Sequence, residues 1–226
     1  MAIPKTIYQT YKTANLPIIF RWHIRRLRKK NPSYTYEFYD DKRASDFILD
    51  SYGNKISSIF NRINIGAAKA DFFRYAILYK KGGVYLDIDS LITTKIDDFI
   101  RPNDVAVISN ESNLKFFLQY VLFFEPQHPI LKRTMDLMIS NLKQNTYPYN
   151  THKMTGPTVF TEAIRYCMTK ESKLDYRILG TDFGNNVKFS FVGSKTFLYG
   201  IKRKKHWKKI GNKVAVISAE QTNINQ

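Results

Sequence analysis

Apolar and polar positions along this chain follow two different periods, one of helical spacing and one of simple alternation, and they switch repeatedly between residues 3 and 170. Residues 3–11 read as an opening strand with its following loop, and Pro4 sits at the edge, where a missing N–H does no harm. Over residues 17–30 the apolar side chains Ile18, Trp22, Ile24 and Leu27 form a helical stripe, with Pro32 just beyond its end. The alternating, aromatic-rich residues 34–39 predict a second strand, and residues 45–52 a short helix. Residues 66–81 predict a longer helix, closed by Gly82-Gly83, and residues 84–89 a strand of strict period two.

Further strands are expected at 105–109 and 116–124, and an amphipathic helix at 129–142 offers Ile130, Met135, Leu137, Met138 and Leu142 to a core. Thr155-Gly156-Pro157 opens another helix reaching to about Thr169, its proline in the first turn, where an N–H is dispensable. Strands alternating with helices predict an α/β sandwich that takes ligands at the carboxyl ends of its strands. No repeat, low-complexity tract or linker divides the chain. A single domain over residues 1–226 is therefore expected, with its core at about 3–218 and a frayed polar tail at 219–226.

Composition narrows the class. At 226 residues, 43% hydrophobic and 15% aromatic, the chain can bury a core, which excludes a disordered composition. No apolar run reaches the roughly eighteen residues a membrane span needs, and no secretory leader is expected from Met1-Ala2-Ile3-Pro4-Lys5. The single cysteine, Cys167, rules out an internal disulfide and fits a reducing, cytoplasmic setting, either soluble or peripheral to a membrane. Lys and Arg number 36 against 19 Asp and Glu, a net charge of +17. That excess implies an anionic partner: nucleic acid, a membrane surface or a phosphorylated small molecule. It gathers at Arg21, Arg25, Arg26, Arg28, Lys29 and Lys30, and again from Lys202 to Lys209. Charge alone does not choose among those partners.

Candidate chemistry centres on Val84-Tyr85-Leu86-Asp87-Ile88-Asp89. Continued as a strand, this segment places Tyr85, Asp87 and Asp89 on one face. Neighbouring carboxylates on an apolar strand repel one another and lose hydration, a costly arrangement unless a cation bridges them. Hard oxygen ligands suit Mn²⁺ or Mg²⁺, either of which can clamp a diphosphate and stabilise it as a leaving group. In the preceding helix Ala67, Asp71, Arg74 and Leu78 share one face, which makes Asp71 and Arg74 a charged pair within a segment dense in core residues.

The run from Ala70 to Asp89, with Asp, Arg, Gly-Gly, Tyr and Asp-x-Asp in fixed order, strongly resembles the sugar-binding DXD region of glycosyltransferase family 32. That family is related to the glucosyltransferase domains of clostridial toxins. Residues 3–11 are similar to the family's opening strand, except that Tyr8 replaces its usual His and Tyr11 its usual Trp. Thr155-Gly156-Pro157 is similar to a later helix start. The resemblance implies a GT-A type fold, a single α/β/α sandwich of the nucleotide-diphosphosugar transferase kind. It implies transfer of a sugar, with retention, from a UDP- or GDP-linked donor to a glycan, glycolipid or protein acceptor.

By the same resemblance Asp87 and Asp89 would hold the Mn²⁺ or Mg²⁺, and Asp71 and Arg74 the sugar hydroxyls. Tyr11, Tyr85 and the backbone near Gln9 would take the nucleotide, while His206, beside Lys204, Lys205 and Lys208, would complete the metal site. Basic patches would allow peripheral contact with an anionic membrane. Two alternatives stand beside this reading: a nucleic-acid-binding protein or metal nuclease, which the charge suggests, and a sugar-nucleotide binder without catalysis.

Overall fold

The computed structural model describes residues 2–112, 114–191, 194 and 213–219. In chain order the first elements are β1 (Thr6–Thr10), α1 (Ile18–Lys30), β2 (Thr35–Tyr39), α2 (Asp41–Asn61), α3 (Gly66–Lys81) and β3 (Gly83–Leu86). Next come β4 (Leu91–Ile92), β5 (Ala106–Asn110), β6 (Val121–Phe124), α4 (Pro129–Gln144), α5 (Thr151–Met154) and α6 (Pro157–Lys170). Last are β7 (Arg177–Thr181), α7 (Asp182–Asn185) and β8 (Val187–Lys188).

Six strands make one mixed sheet in the order β2-β1-β3-β6-β5-β7, and β4 pairs with β8 in a small second sheet. β1 runs parallel to β2 and β3, and β5 parallel to β7, whereas β6 is antiparallel to both of its neighbours. Side chains one residue apart go to opposite faces, as a pleated strand requires. Tyr8, Tyr85, Leu122 and Phe124 join the core built with α2, α3, α4 and α6. Ile7, Val84, Leu86 and Phe123 join a second core with Leu27 of α1, Ile96 and Phe183. The architecture is the expected α/β/α sandwich. β3 is apolar at every position after Gly83 because both of its faces are covered.

The junction between α3 and β3 shows why two glycines are needed there. Gly82 sits at φ 64°, ψ −171°, a region that side chains do not tolerate. A Cβ on Gly82 would lie 2.6 Å from Cδ of Pro126 and 2.7 Å from its backbone nitrogen. A Cβ on Gly83 would come within 2.7 Å of the Thr6 carbonyl oxygen. The turn therefore drops the helix onto the sheet with no space to spare.

Several boundaries differ from the sequence expectation. The short helix expected at 45–52 is α2, which begins at Asp41, where the Asp40 side chain accepts from the Arg43 N–H, and bends at Gly53 (φ 75°). The strand expected at 84–89 ends at Leu86, so Asp87 and Asp89 do not share a strand face. They lie instead in a turn closed by the Ser90 N–H donating to the Asp87 carbonyl. The strand expected at 116–124 is reduced to β6, since the Gln119 carbonyl is taken by Arg74 rather than by a ladder. β7, α7 and β8 had no counterpart in the apolar pattern, because their residues are short runs with little burial.

Gly82→Ala should destabilise the protein by about 3 kcal/mol or more, lowering Tm by roughly 6–12 °C in thermal unfolding. Gly180→Ala, at φ 51° but with nothing within 4 Å of the added Cβ, should cost only about 1 kcal/mol.

Candidate functional site

The chemistry-bearing residues converge where β3 ends. α3 has nine buried side chains among sixteen, Asp71 and Arg74 included, and is enclosed by the sheet on one side and other helices on the other. A charged pair in that position must find all its partners within the protein. Arg74 does so with all three of its nitrogens. Its Nη2 donates to Asp87 Oδ1 at 2.9 Å, Nη1 to the Gln119 carbonyl at 2.9 Å, and Nε to the Ala70 carbonyl at 3.3 Å. The guanidinium also lies 4.9 Å from the centre of the Tyr85 ring, and Asp71 Oδ1 is 3.4 Å from Nη2. Burial alone would lower the pKa of Arg74, but the adjacent carboxylates, led by Asp87, raise it, so the group stays charged.

Asp71 is satisfied from its other side. Its Oδ2 accepts from the Thr155 hydroxyl at 2.8 Å and its Oδ1 from the Gln119 side-chain amide at 3.2 Å. Gln119 in turn accepts from the Tyr75 hydroxyl. Burial pushes the Asp71 carboxyl up to about 6, although Arg74 and the hydrogen bonds pull the other way. Thr155 opens the Thr-Gly-Pro segment singled out in the sequence, and its use here is to close the pocket around Asp71.

Asp87 is the member of this group that meets solvent, its side chain 25% exposed. Oδ1 is fixed by Arg74 and by the Tyr85 hydroxyl at 2.9 Å, while Oδ2 receives no hydrogen bond from the described residues. Burial raises the Asp87 pKa, against the pull of Arg74. The backbone is anchored at both ends: the Asp87 N–H donates to the Tyr120 carbonyl at 2.8 Å, and the Gln9 amide donates to the Asp87 carbonyl at 3.2 Å. Gln9 accepts from the Tyr36 hydroxyl at 3.0 Å, so both ends of its buried side chain are used internally.

Asp89 is buried in the same turn, and its carbonyl accepts from the Phe191 N–H at 3.0 Å. Behind the turn, buried His23 of α1 meets the Ser90 carbonyl through Nε2 at 2.8 Å and stacks on Phe191 at 4.3 Å. Burial lowers the pKa of His23, so it donates there as a neutral ring. Spacing alone did not single out His23, Gln119 or Thr155 for these roles. Only their long-range contacts reveal them.

Of the nucleotide-site expectations, Tyr11 is half-buried against Phe20 at the end of β1, and Tyr85 is wholly buried. His206 and Lys204, Lys205 and Lys208 lie outside the described residues. Among the described residues no third His, Cys, Asp or Glu joins Asp87 and Asp89 as a possible ligand. Two carboxylates at one turn, beside a buried cluster with one guanidinium for Asp71 and Asp87, match the donor set of a hard divalent cation that keeps water and phosphate ligands. The residues present fit such an ion.

This α/β/α sandwich is the fold of GT-A type glycosyltransferase domains. The family described as "Glycosyltransferase sugar-binding region containing DXD motif" matches residues 20–107. Among curated relatives, the initiation-specific alpha-1,6-mannosyltransferase of Schizosaccharomyces pombe is 28% identical over 190 residues, 72% of this chain and 48% of that protein. The mannosyl phosphorylinositol ceramide synthase SUR1 of Saccharomyces cerevisiae is 30% identical over 162 residues, 69% of this chain and 40% of that protein. The uncharacterized glycosyltransferase L373 of Acanthamoeba polyphaga mimivirus is 28% identical over 165 residues, 72% of this chain and 64% of that protein. The chain thus spans about half the length of the curated relatives it matches. Among solved structures, PaToxG glycosyltransferase superposes with a TM-score of 0.60 at 23% identity, over 74% of this chain and 70% of that one. The UDP-bound glycosyltransferase domain from the YGT toxin gives 0.54 at 10% identity, over 78% and 79%. These two likenesses concern the fold.

Because the folded state raises the Asp71 pKa from 3.8 to about 6, native protein binds this proton more tightly than unfolded chain. Its contribution to stability is complete below about pH 4 and lost as the pH rises through about 6. In metal-free buffer, the stability of the protein relative to Asp71→Asn should fall by up to about 3 kcal/mol between pH 4 and 7, read from urea midpoints at each pH. A difference independent of pH would refute the shift.

Proposed function

We propose that this chain is a glycosyltransferase that moves a hexose, with mannose the first candidate, from a nucleoside-diphosphate donor to an acceptor hydroxyl. The observation that carries the reading is Asp87, a partly exposed carboxylate with one oxygen pinned by Arg74 and Tyr85 and the other without a hydrogen bond from the described residues. Positioning of that kind keeps a carboxylate aimed before any ligand arrives. The names of the relatives support the choice of reaction and of mannose. The DXD region and the toxin-domain folds support a nucleotide-sugar donor.

Asp87 and Asp89 would hold Mn²⁺ or Mg²⁺. When bound, that ion neutralises the charge that develops on the departing diphosphate. The rest is done by the chain. Arg74 orients Asp87 from below and sets the charge of the buried floor, and Tyr85 acts through its hydroxyl on Asp87. Gln9 fixes the Asp87 backbone, and Tyr11, at the edge of the site, offers its ring to the base. Asp71 and Arg74, buried behind Asp87, would lie beneath the sugar end of the donor and fix the floor it rests on, where positioning lowers the entropic part of the barrier. Transfer with retention follows from the same family resemblance. The acceptor is a glycan or a glycolipid, as the names of the relatives suggest.

The purified chain with Mn²⁺ should release nucleoside diphosphate from GDP-mannose or from a UDP-sugar, and EDTA should stop it. Asp87→Asn should lower kcat by about 100-fold or more with an unchanged circular dichroism spectrum, and Tyr85→Phe by about tenfold. A wild-type rate in Asp87→Asn would remove this residue from the chemistry. Binding of nucleoside diphosphate with Mn²⁺, seen as thermal stabilisation without any turnover, would make the chain a binder instead.

A further inference from the structure

The outer face of α1 is left unused by the site. Thirteen residues, Ile-Ile-Phe-Arg-Trp-His-Ile-Arg-Arg-Leu-Arg-Lys-Lys, contain six cations and no acid. Phe20, His23, Ile24 and Leu27 face inward and fasten the helix to the body of the protein. With 3.6 residues per turn, Ile18, Trp22, Arg25 and Lys29 (i, i+4, i+7, i+11) line up along the centre of the outer face. Arg26 flanks that line on one side, and Arg21 and Arg28 on the other, all exposed. Ile18 is 74% exposed and Trp22 54%, and the Arg26 guanidinium covers the Trp22 ring at 4.7 Å.

A solvated basic surface has no use for an isoleucine and a tryptophan in the middle of its charge. We infer that this face of α1 docks on an anionic lipid bilayer, with Ile18 and Trp22 entering the interface and the arginines and lysines at headgroup level. The charge pattern matches such a surface: every ionisable group on the face is cationic, and each adds attraction to anionic lipid. The apolar pair supplies what charge cannot, because a branched aliphatic and an indole gain by leaving water at the bilayer interface. A nucleic-acid groove is the poorer fit. Ile18 offers nothing to a base or phosphate, and one face of the Trp22 ring is already occupied by Arg26. The body of the protein needs no rearrangement to bind this way, since the inner face stays packed. Among the described residues no helix is long and apolar enough to cross a membrane, so docking would be at the surface.

Vesicle co-sedimentation tests this without any nucleotide sugar, so its outcome is separate from that of the transferase reading. The intact chain should bind vesicles containing about 30% phosphatidylserine, and far more weakly those of phosphatidylcholine alone. Arg25→Ala/Lys29→Ala should weaken binding about thirtyfold and Trp22→Ala about tenfold, each with an unchanged circular dichroism spectrum. Tryptophan emission should shift to the blue on adding anionic vesicles to the wild type, and the shift should vanish in Trp22→Ala. Equal binding by wild type and both variants would overturn the inference. So would a blue shift that survives Trp22→Ala, or an oligonucleotide bound through Arg25 and Lys29 with no binding to vesicles.

Discussion

A guanidinium placed where water does not reach, between two carboxylates, sets the terms for everything else in this protein. Arg74 is buried with Asp71 on one side and Asp87 on the other, and each of its three nitrogens donates a hydrogen bond. Burying one charge is costly, and burying Asp71 and Arg74 together is tolerable only when hydrogen bonds offset the lost hydration. The fold meets that condition with Gln119, Thr155, Tyr75 and Tyr85, drawn from four separate stretches of chain. With both carboxylates ionised the floor carries one more negative charge than positive, and burial raises the pKa of both.

The sheet explains how those stretches meet. β3 lies between β1 and β6, and its last residue hands the chain to the turn at Asp87. β1 contributes Gln9 beneath that turn, and the segment before β6 contributes the Gln119 and Tyr120 carbonyls. α3 reaches the same point because Gly82-Gly83 folds it back at once along β3. The site is thus a consequence of strand order, in keeping with the rule that ligands of open α/β sheets gather at carboxyl strand ends.

Much of this was legible from residues alone, and for definite reasons. α3 was bounded correctly because its apolar run is long and ends in two glycines. The opening strand was found because Ile7 and Tyr8 alternate into two cores. Asp71, Arg74, Asp87 and Asp89 are notable as charges in apolar company, but the roles expected of them come from the resemblance to the DXD region. What could not be read was how the carboxylates are presented. Alternation suggested a continued strand face, whereas the hydrogen bond from Asp87 to Tyr120 and the turn at Ser90 bend the chain away. Thr155 looked like a helix start and is also a partner of Asp71, a contact 84 residues away that no local pattern encodes. The short elements from β7 to β8 escaped for a different reason: few of their side chains are buried, and periodicity is a record of burial.

The enclosure of α3 has an implication for how such a sequence can vary. Ala68, Ala76, Phe72, Ile77 and Leu78 touch protein on all sides, so a change of one methylene there meets resistance from several directions. The half-exposed residues of β7 meet no such obstacle. Accumulated replacements should therefore spare a narrow band of the chain and scatter elsewhere, leaving distant cousins alike over one helix and one strand. Kinship written so unevenly is easiest to detect where steric tolerance is least.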